Sequence, residues 1–129
     1  MERYLIDTNI FIRHLRGYKP AADFLLKVNN VNPSVSYVTI AELIEGCKSK
    51  SHLKDVKKLK SSYFIDYGSP LINELAIDIF GEFKLTKGIS FIDSILAATS
   101  LENSYVLITE NTKHFEFIPH VKILTPDYS

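Results

Sequence analysis

Residues 105–109 read YVLIT, and this stretch decides the fold class. Its apolar residues do not alternate with polar ones, which fits a strand covered on both faces, as in the middle of a parallel sheet. Residues 91–101 before it form a largely apolar helical pattern, and residues 121–124 (VKIL) after it read as an edge-like strand. Further back, Pro70 opens a strong amphipathic helix with Ile72, Leu75, Ala76, Ile79, Phe80 and Phe83 three and four apart, and Gly88 fits its end. Residues 63–65 can form a short strand, and residues 51–60 carry a narrow apolar stripe of Leu53, Val56 and Leu59. Residues 35–38 (VSYV) read as a strand followed at once by a helix with Ile40, Leu43, Ile44 and Cys47 on one face. At the start, residues 3–6 (RYLI) form the first strand, with short helices predicted over 9–15 and 20–28. Strands alternating with helices predict an α/β fold, a three-layer α/β/α sandwich around a mainly parallel sheet of four or five strands. Ligand sites in such sheets lie outside the carboxyl ends of the strands.

The chain has 129 residues, 46% of them hydrophobic and 23% charged, with mean hydropathy +0.03. That is one domain's worth of sequence, read as a single unit over residues 1–129, and it argues against disordered, collagen-like and coiled-coil classes. Cys47 is alone and has no intrachain disulfide partner, which fits a reducing compartment. No apolar run approaches the roughly 20 residues that span a bilayer, and the opening MERYLIDTN does not read as a signal peptide. A cytoplasmic protein with no membrane association is the expectation.

Three acids stand out by position. Asp7 follows the first strand directly (LIDTN), Glu42 falls in the first turn of the helix after the second (VTIAELIEG), and Asp93 opens the apolar late helix (SFIDSILAA). Asn111 follows YVLIT and completes the set with an amide. Each has a capping alternative: Asp7 or Thr8 suits a helix start, Thr39 to Glu42 matches the S/T-x-x-E box, and Ser90 to Asp93 nearly does. Yet Asp93 sits among apolar residues with no Lys or Arg between residues 90 and 104, and an ionised carboxylate there is costly unless paired or metal-bound. Two carboxylates ~4 Å apart repel by about 4 kcal/mol at an effective dielectric of about 20. A convergent trio therefore calls for a divalent cation, and all-oxygen ligands suit Mg²⁺ or Mn²⁺. Such a site polarises a phosphoryl oxygen and activates water, which points to phosphodiester hydrolysis.

These residues resemble a known family. LIDTNIFI, VTIAELIEG, ISFIDSILAAT and VLITENTKHF, in this order and at these separations, are similar to the PIN-domain ribonucleases, and within them to the VapC-type toxins of toxin–antitoxin pairs. The resemblance spans nearly the whole chain. It implies a Mg²⁺- or Mn²⁺-dependent endoribonuclease with an RNA substrate, a cognate antitoxin protein as partner, and a homodimer. Asp7, Glu42 and Asp93 match the family's acidic metal ligands, Thr8 matches a hydroxyl that supports the first aspartate, and Asn9 stands beside it. Asn111 and His114 occupy positions where many members carry aspartate, which implies one tightly held ion rather than two. They also motivate the alternative reading, a degenerate PIN domain that binds RNA or a protein without cutting.

The remaining features weigh less. Residues 48–60 hold six lysines and one aspartate, equally a solvated helix face or a phosphate-tracking patch. His114 reads more readily as a satisfied loop histidine than as a group reaching the acids. Glu45 fits an exposed helix charge better than a support for Glu42, and Tyr18, Tyr37 and Tyr67 can stack bases or simply pack. Fifteen basic and fifteen acidic side chains cancel in total, but unevenly: residues 1–64 carry +5 and the remainder −5. A zero net charge is therefore no argument against an RNA partner.

Overall fold

A computed structural model describes residues 2–129. Five strands form one sheet: β1 (Arg3–Ile6), β2 (Ser34–Ser36), β3 (Phe64–Asp66), β4 (Tyr105–Ile108) and β5 (Lys122–Leu124). Six helices connect and cover them: α1 (Thr8–Leu15), α2 (Lys19–Val28), α3 (Tyr37–Glu45), α4 (Lys50–Ser62), α5 (Pro70–Lys87) and α6 (Phe91–Glu102). Short 3-10 turns follow α2 (Asn29–Val31) and β4 (Thr112–His114). Every strand pairing is parallel, in the order β3-β2-β1-β4-β5. The expected three layers follow from the strands themselves. Neighbouring residues of a strand face opposite sides, so Leu5 and Leu107 pack with α5 and α6, while Ile6 and Ile108 pack with α1 to α4. This is why YVLIT has no polar alternation: Tyr105 through Thr109 are all buried.

The second strand differs from its sequence reading. It ends at Ser36, and Tyr37 and Val38 already belong to α3. Ser36 is the cause, because its hydroxyl accepts the Val38 N–H at 3.3 Å and starts the helix. The Thr39–Glu42 capping box therefore does not form, and Glu42 stands in the second turn of α3 rather than the first. Ile44 is turned outward, 46% exposed, and Cys47 lies beyond the helix end, so neither holds the α3 position expected of it. The third strand begins one residue late, at Phe64, and Thr109 lies just past β4 while still donating to the Leu124 carbonyl. The other expected helices form within two residues of their predicted ends. Gly88 closes α5 in the left-handed conformation (φ 68°), which glycine adopts without strain. No helix among the described residues is long and apolar enough to cross a membrane.

The strand order fixes where a ligand can sit. From β1 the chain steps to β2 and β3 on one side, then returns to place β4 on the other side of β1. The crevice outside the carboxyl ends of β1 and β4 lies at this reversal. Asp7 and Thr109 are the first residues past those two ends.

Candidate active site

Asp7 continues the β1 ladder by donating its N–H to the Ile108 carbonyl at 2.9 Å, which pins its backbone at the sheet edge. Its carboxylate accepts the Thr8 N–H at 2.7 Å, capping α1, and the Thr109 hydroxyl at 2.7 Å. The residue is 5% exposed. Burial pushes its carboxyl above the ordinary range; the two hydrogen bonds oppose this, and the nearby charge of Asp93 adds to it.

Glu42 reaches the same place from α3. Its Oε1 accepts the Thr8 hydroxyl at 2.7 Å, and the Thr8 and Thr39 hydroxyl oxygens are 3.1 Å apart. With its proton on Glu42, Thr8 can accept from Thr39, so both buried hydroxyls are satisfied. Asp93 is the third residue of α6. Its N–H donates to the Ser90 hydroxyl at 3.0 Å, so the capping reading of this segment holds for the backbone while the carboxylate is left for other work. Asp93 Oδ2 lies 3.2 Å from His114 Nδ1. Burial raises the Asp93 carboxyl as well; His114 counters this, and the Glu42 charge reinforces it.

Asp7, Thr8, Asn9, Glu42, Asp93, Asn111 and His114, all named from the sequence, line one cleft of about 360 Å³. Two details depart from expectation. The Thr8 hydroxyl serves Glu42, and the hydroxyl on the first aspartate comes from Thr109. His114 is not a bystander in its loop but the partner of Asp93. Thr109 was legible only as the polar residue ending an apolar strand. Lys87, Lys113 and Phe117 also line the cleft, and nothing in their local sequence signals it. Glu110 is turned away, bonded to Arg13 Nε at 2.6 Å and to the Tyr128 hydroxyl at 2.6 Å. Glu45, Tyr18, Tyr37, Tyr67 and the six lysines of residues 48–60 line no part of it.

The carboxylate and amide oxygens facing the cleft fit a hard divalent cation such as Mg²⁺ or Mn²⁺, and a single histidine, His114, makes no nitrogen–sulfur cage for zinc. Burial raises two of the three carboxyls, and a neighbouring acid adds to each, Asp93 acting on Asp7 and Glu42 on Asp93, the condition a cation relieves. Among the described residues no three His, Cys, Asp or Glu side chains close on one point at ligand distance. Each acid is instead turned to a protein neighbour: Asp7 to Thr109, Glu42 to Thr8 and Asp93 to His114.

Comparison with known proteins agrees with this fold. A PIN domain family model matches residues 4–119. Ribonuclease VapC10 of Mycobacterium tuberculosis is 29% identical over 120 residues, which cover 92% of this chain and 90% of that protein. Among solved structures, a toxin–antitoxin complex from Klebsiella pneumoniae aligns with TM-score 0.76 at 28% identity, covering 96% of this chain and 98% of that one. DNA-bound VapBC from Salmonella typhimurium aligns with TM-score 0.81 at 25% identity, covering 97% and 98%.

Proposed function

The chain belongs to the PIN domain family, and from that premise we propose that it is a metal-dependent endoribonuclease, the toxin of a toxin–antitoxin pair, acting in the cytoplasm as a single domain over residues 1–129. The observation that carries this reading is the meeting of three acids from three separate elements in one cleft at the carboxyl edge of a parallel sheet. The names of the similar proteins, a ribonuclease and toxin–antitoxin complexes, support the RNA substrate and the antitoxin partner. A homodimer follows from the family resemblance alone.

Asp7, Glu42 and Asp93 would hold one Mg²⁺ or Mn²⁺, with the Asn111 amide oxygen completing the site. When bound, the ion polarises a phosphoryl oxygen and lowers the pKa of water. The protein's own contribution is orientation. Thr109 and the Thr8 N–H fix Asp7, the Thr8 hydroxyl fixes Glu42, and His114 limits the rotation of Asp93. One carboxylate helps orient the attacking water. Asp7→Asn and Asp93→Asn should each lower cleavage of single-stranded RNA by at least about 100-fold while the circular dichroism spectrum stays native. Undiminished cleavage by the purified double variant would falsify the assignment. A module that binds without cutting predicts no carboxylate-dependent Mn²⁺ uptake in isothermal titration; the nuclease reading predicts uptake that Asp93→Asn abolishes.

A further inference from the structure

Charge in the cleft is layered by depth. Asp7, at its floor, is 5% exposed, while Lys87 and Lys113 are exposed at its rim. They come from separate segments: Lys87 is the last residue of α5, and Lys113 lies in the 3-10 turn after β4. The ion pairs among the described residues are Arg13–Glu110, Lys19–Asp23 and His114–Asp93, so neither rim lysine is within 4.0 Å of a carboxylate. Lysines whose task was to neutralise the acidic floor would be paired with it. Lys87 instead holds its Nζ 5.7 Å from the centre of the Phe117 ring, which Phe83 braces edge-on at 5.0 Å. A lysine in the last turn also suits the helix dipole, but Lys84 does that from the same turn without lining the cleft.

We propose that Lys87 and Lys113 form the phosphate-binding rim of the site, engaging the RNA backbone on either side of the phosphate drawn toward the acids, with Phe117 positioning the Lys87 ammonium. The inference rests on the ribonuclease reading and deepens it. A polyanion approaching three carboxylates is repelled; two unpaired cations at the mouth offset that repulsion for its neighbouring phosphates and leave the floor to the metal. The role thus moves away from the lysine run of residues 48–60, which reaches no part of this cleft.

The test measures binding of a fluorescently labelled single-stranded RNA by anisotropy over a salt series, beside steady-state cleavage and Mn²⁺ titration. Each phosphate contact to a single strand contributes about 0.7 to the slope of log affinity against log salt. Lys87→Gln with Lys113→Gln should therefore lose about 1.4 of that slope, weaken RNA binding and raise KM, with kcat and Mn²⁺ affinity little changed. Lys87→Arg should restore much of the loss. The triple change Lys54→Gln, Lys57→Gln and Lys58→Gln should leave the slope intact. An unchanged slope in the rim variant, or a loss confined to the triple variant, overturns the proposal while the ribonuclease assignment stands. So does a shift in Mn²⁺ affinity with RNA binding unaltered. Wild-type protein that neither binds nor cleaves RNA overturns both.

Discussion

Asp7 is held by two donors of different kinds, a backbone N–H and the Thr109 hydroxyl. The backbone donor comes with α1 and survives any side-chain change; the hydroxyl does not. Thr109 also accepts the Asn111 N–H at 3.0 Å, so a single side chain ties the first acid to the loop carrying the fourth ligand candidate. Thr109→Val keeps the shape and removes both bonds. Hydrogen bonds to charged groups contribute about 1.5–3 kcal/mol, so stability in a urea titration should fall by about that much, and Thr109→Ser should recover most of it. Asp7→Asn should act in the opposite sense on stability. The folded carboxyl is raised by burial, so its charge at neutral pH opposes folding, whereas an amide oxygen can still cap α1. In chelator the variant should therefore melt above wild type. Mn²⁺ should then raise the wild-type melting temperature and leave that of Asp7→Asn unmoved. The acids were legible because each falls at a fixed place after a strand or at a helix start. Their hydroxyl pairings were not, because Thr8 and Glu42, like Thr109 and Asp7, are far apart in the chain and meet only in the folded molecule.

At the level of the element, α3 decides where Glu42 points. VSYV has strong strand propensity, and the sequence reading extended β2 through Val38 for that reason. The serine inside it carried the opposing signal: a hydroxyl able to cap, followed by Ile40 and Leu43, three apart and buried on one side of the sheet, with Val38 buried on the other. Packing and capping together overrode propensity, and the strand lost two residues to the helix. Ser36→Ala should cost about 1 kcal/mol in chemical denaturation, the usual worth of an N-cap. Glu42→Gln should cost little in the same assay, since α3 does not use that side chain as a cap, yet it should lower Mn²⁺ affinity. The reverse ranking in stability would restore the capping box at Thr39. For α5 and α6 the sequence was a better guide. Pro70, Gly88 and the spacing of Ile72, Ala76 and Ile79 agree with one another, and Ser90 starts α6 with the hydrogen bond expected of it. Local and tertiary preferences coincide there, so nothing had to be overridden.

Across the whole molecule, the last residues return to the loop after β4. Tyr128, one residue from the end, packs edge-on against Tyr18 at 5.5 Å and Phe24 at 6.2 Å, and its hydroxyl donates to Glu110 at 2.6 Å. Glu110 is also bonded to Arg13 of α1, and it directly precedes Asn111 in the loop that ends at His114. The terminal segment thereby fastens α1, α2 and the loop after β4 into one assembly. The sequence did not reveal this, because a tyrosine near a chain end carries no periodicity and Glu110 could be read only as a residue facing away from the acids. Tyr128→Phe separates the two contributions: the ring packing stays and the hydroxyl bond goes. Its partner is partly exposed, so the loss should be only about 1 kcal/mol by thermal or urea melting. Truncation after Asp127 removes the ring as well and should cost more, on the order of 2–3 kcal/mol for a half-buried aromatic. If the joint steadies the loop after β4, Tyr128→Phe should lower kcat several-fold with KM for RNA little changed, because the lysine rim is untouched while Asn111 and His114 are less firmly held. A melting temperature that falls with kcat unaltered would reduce Tyr128 to a packing residue.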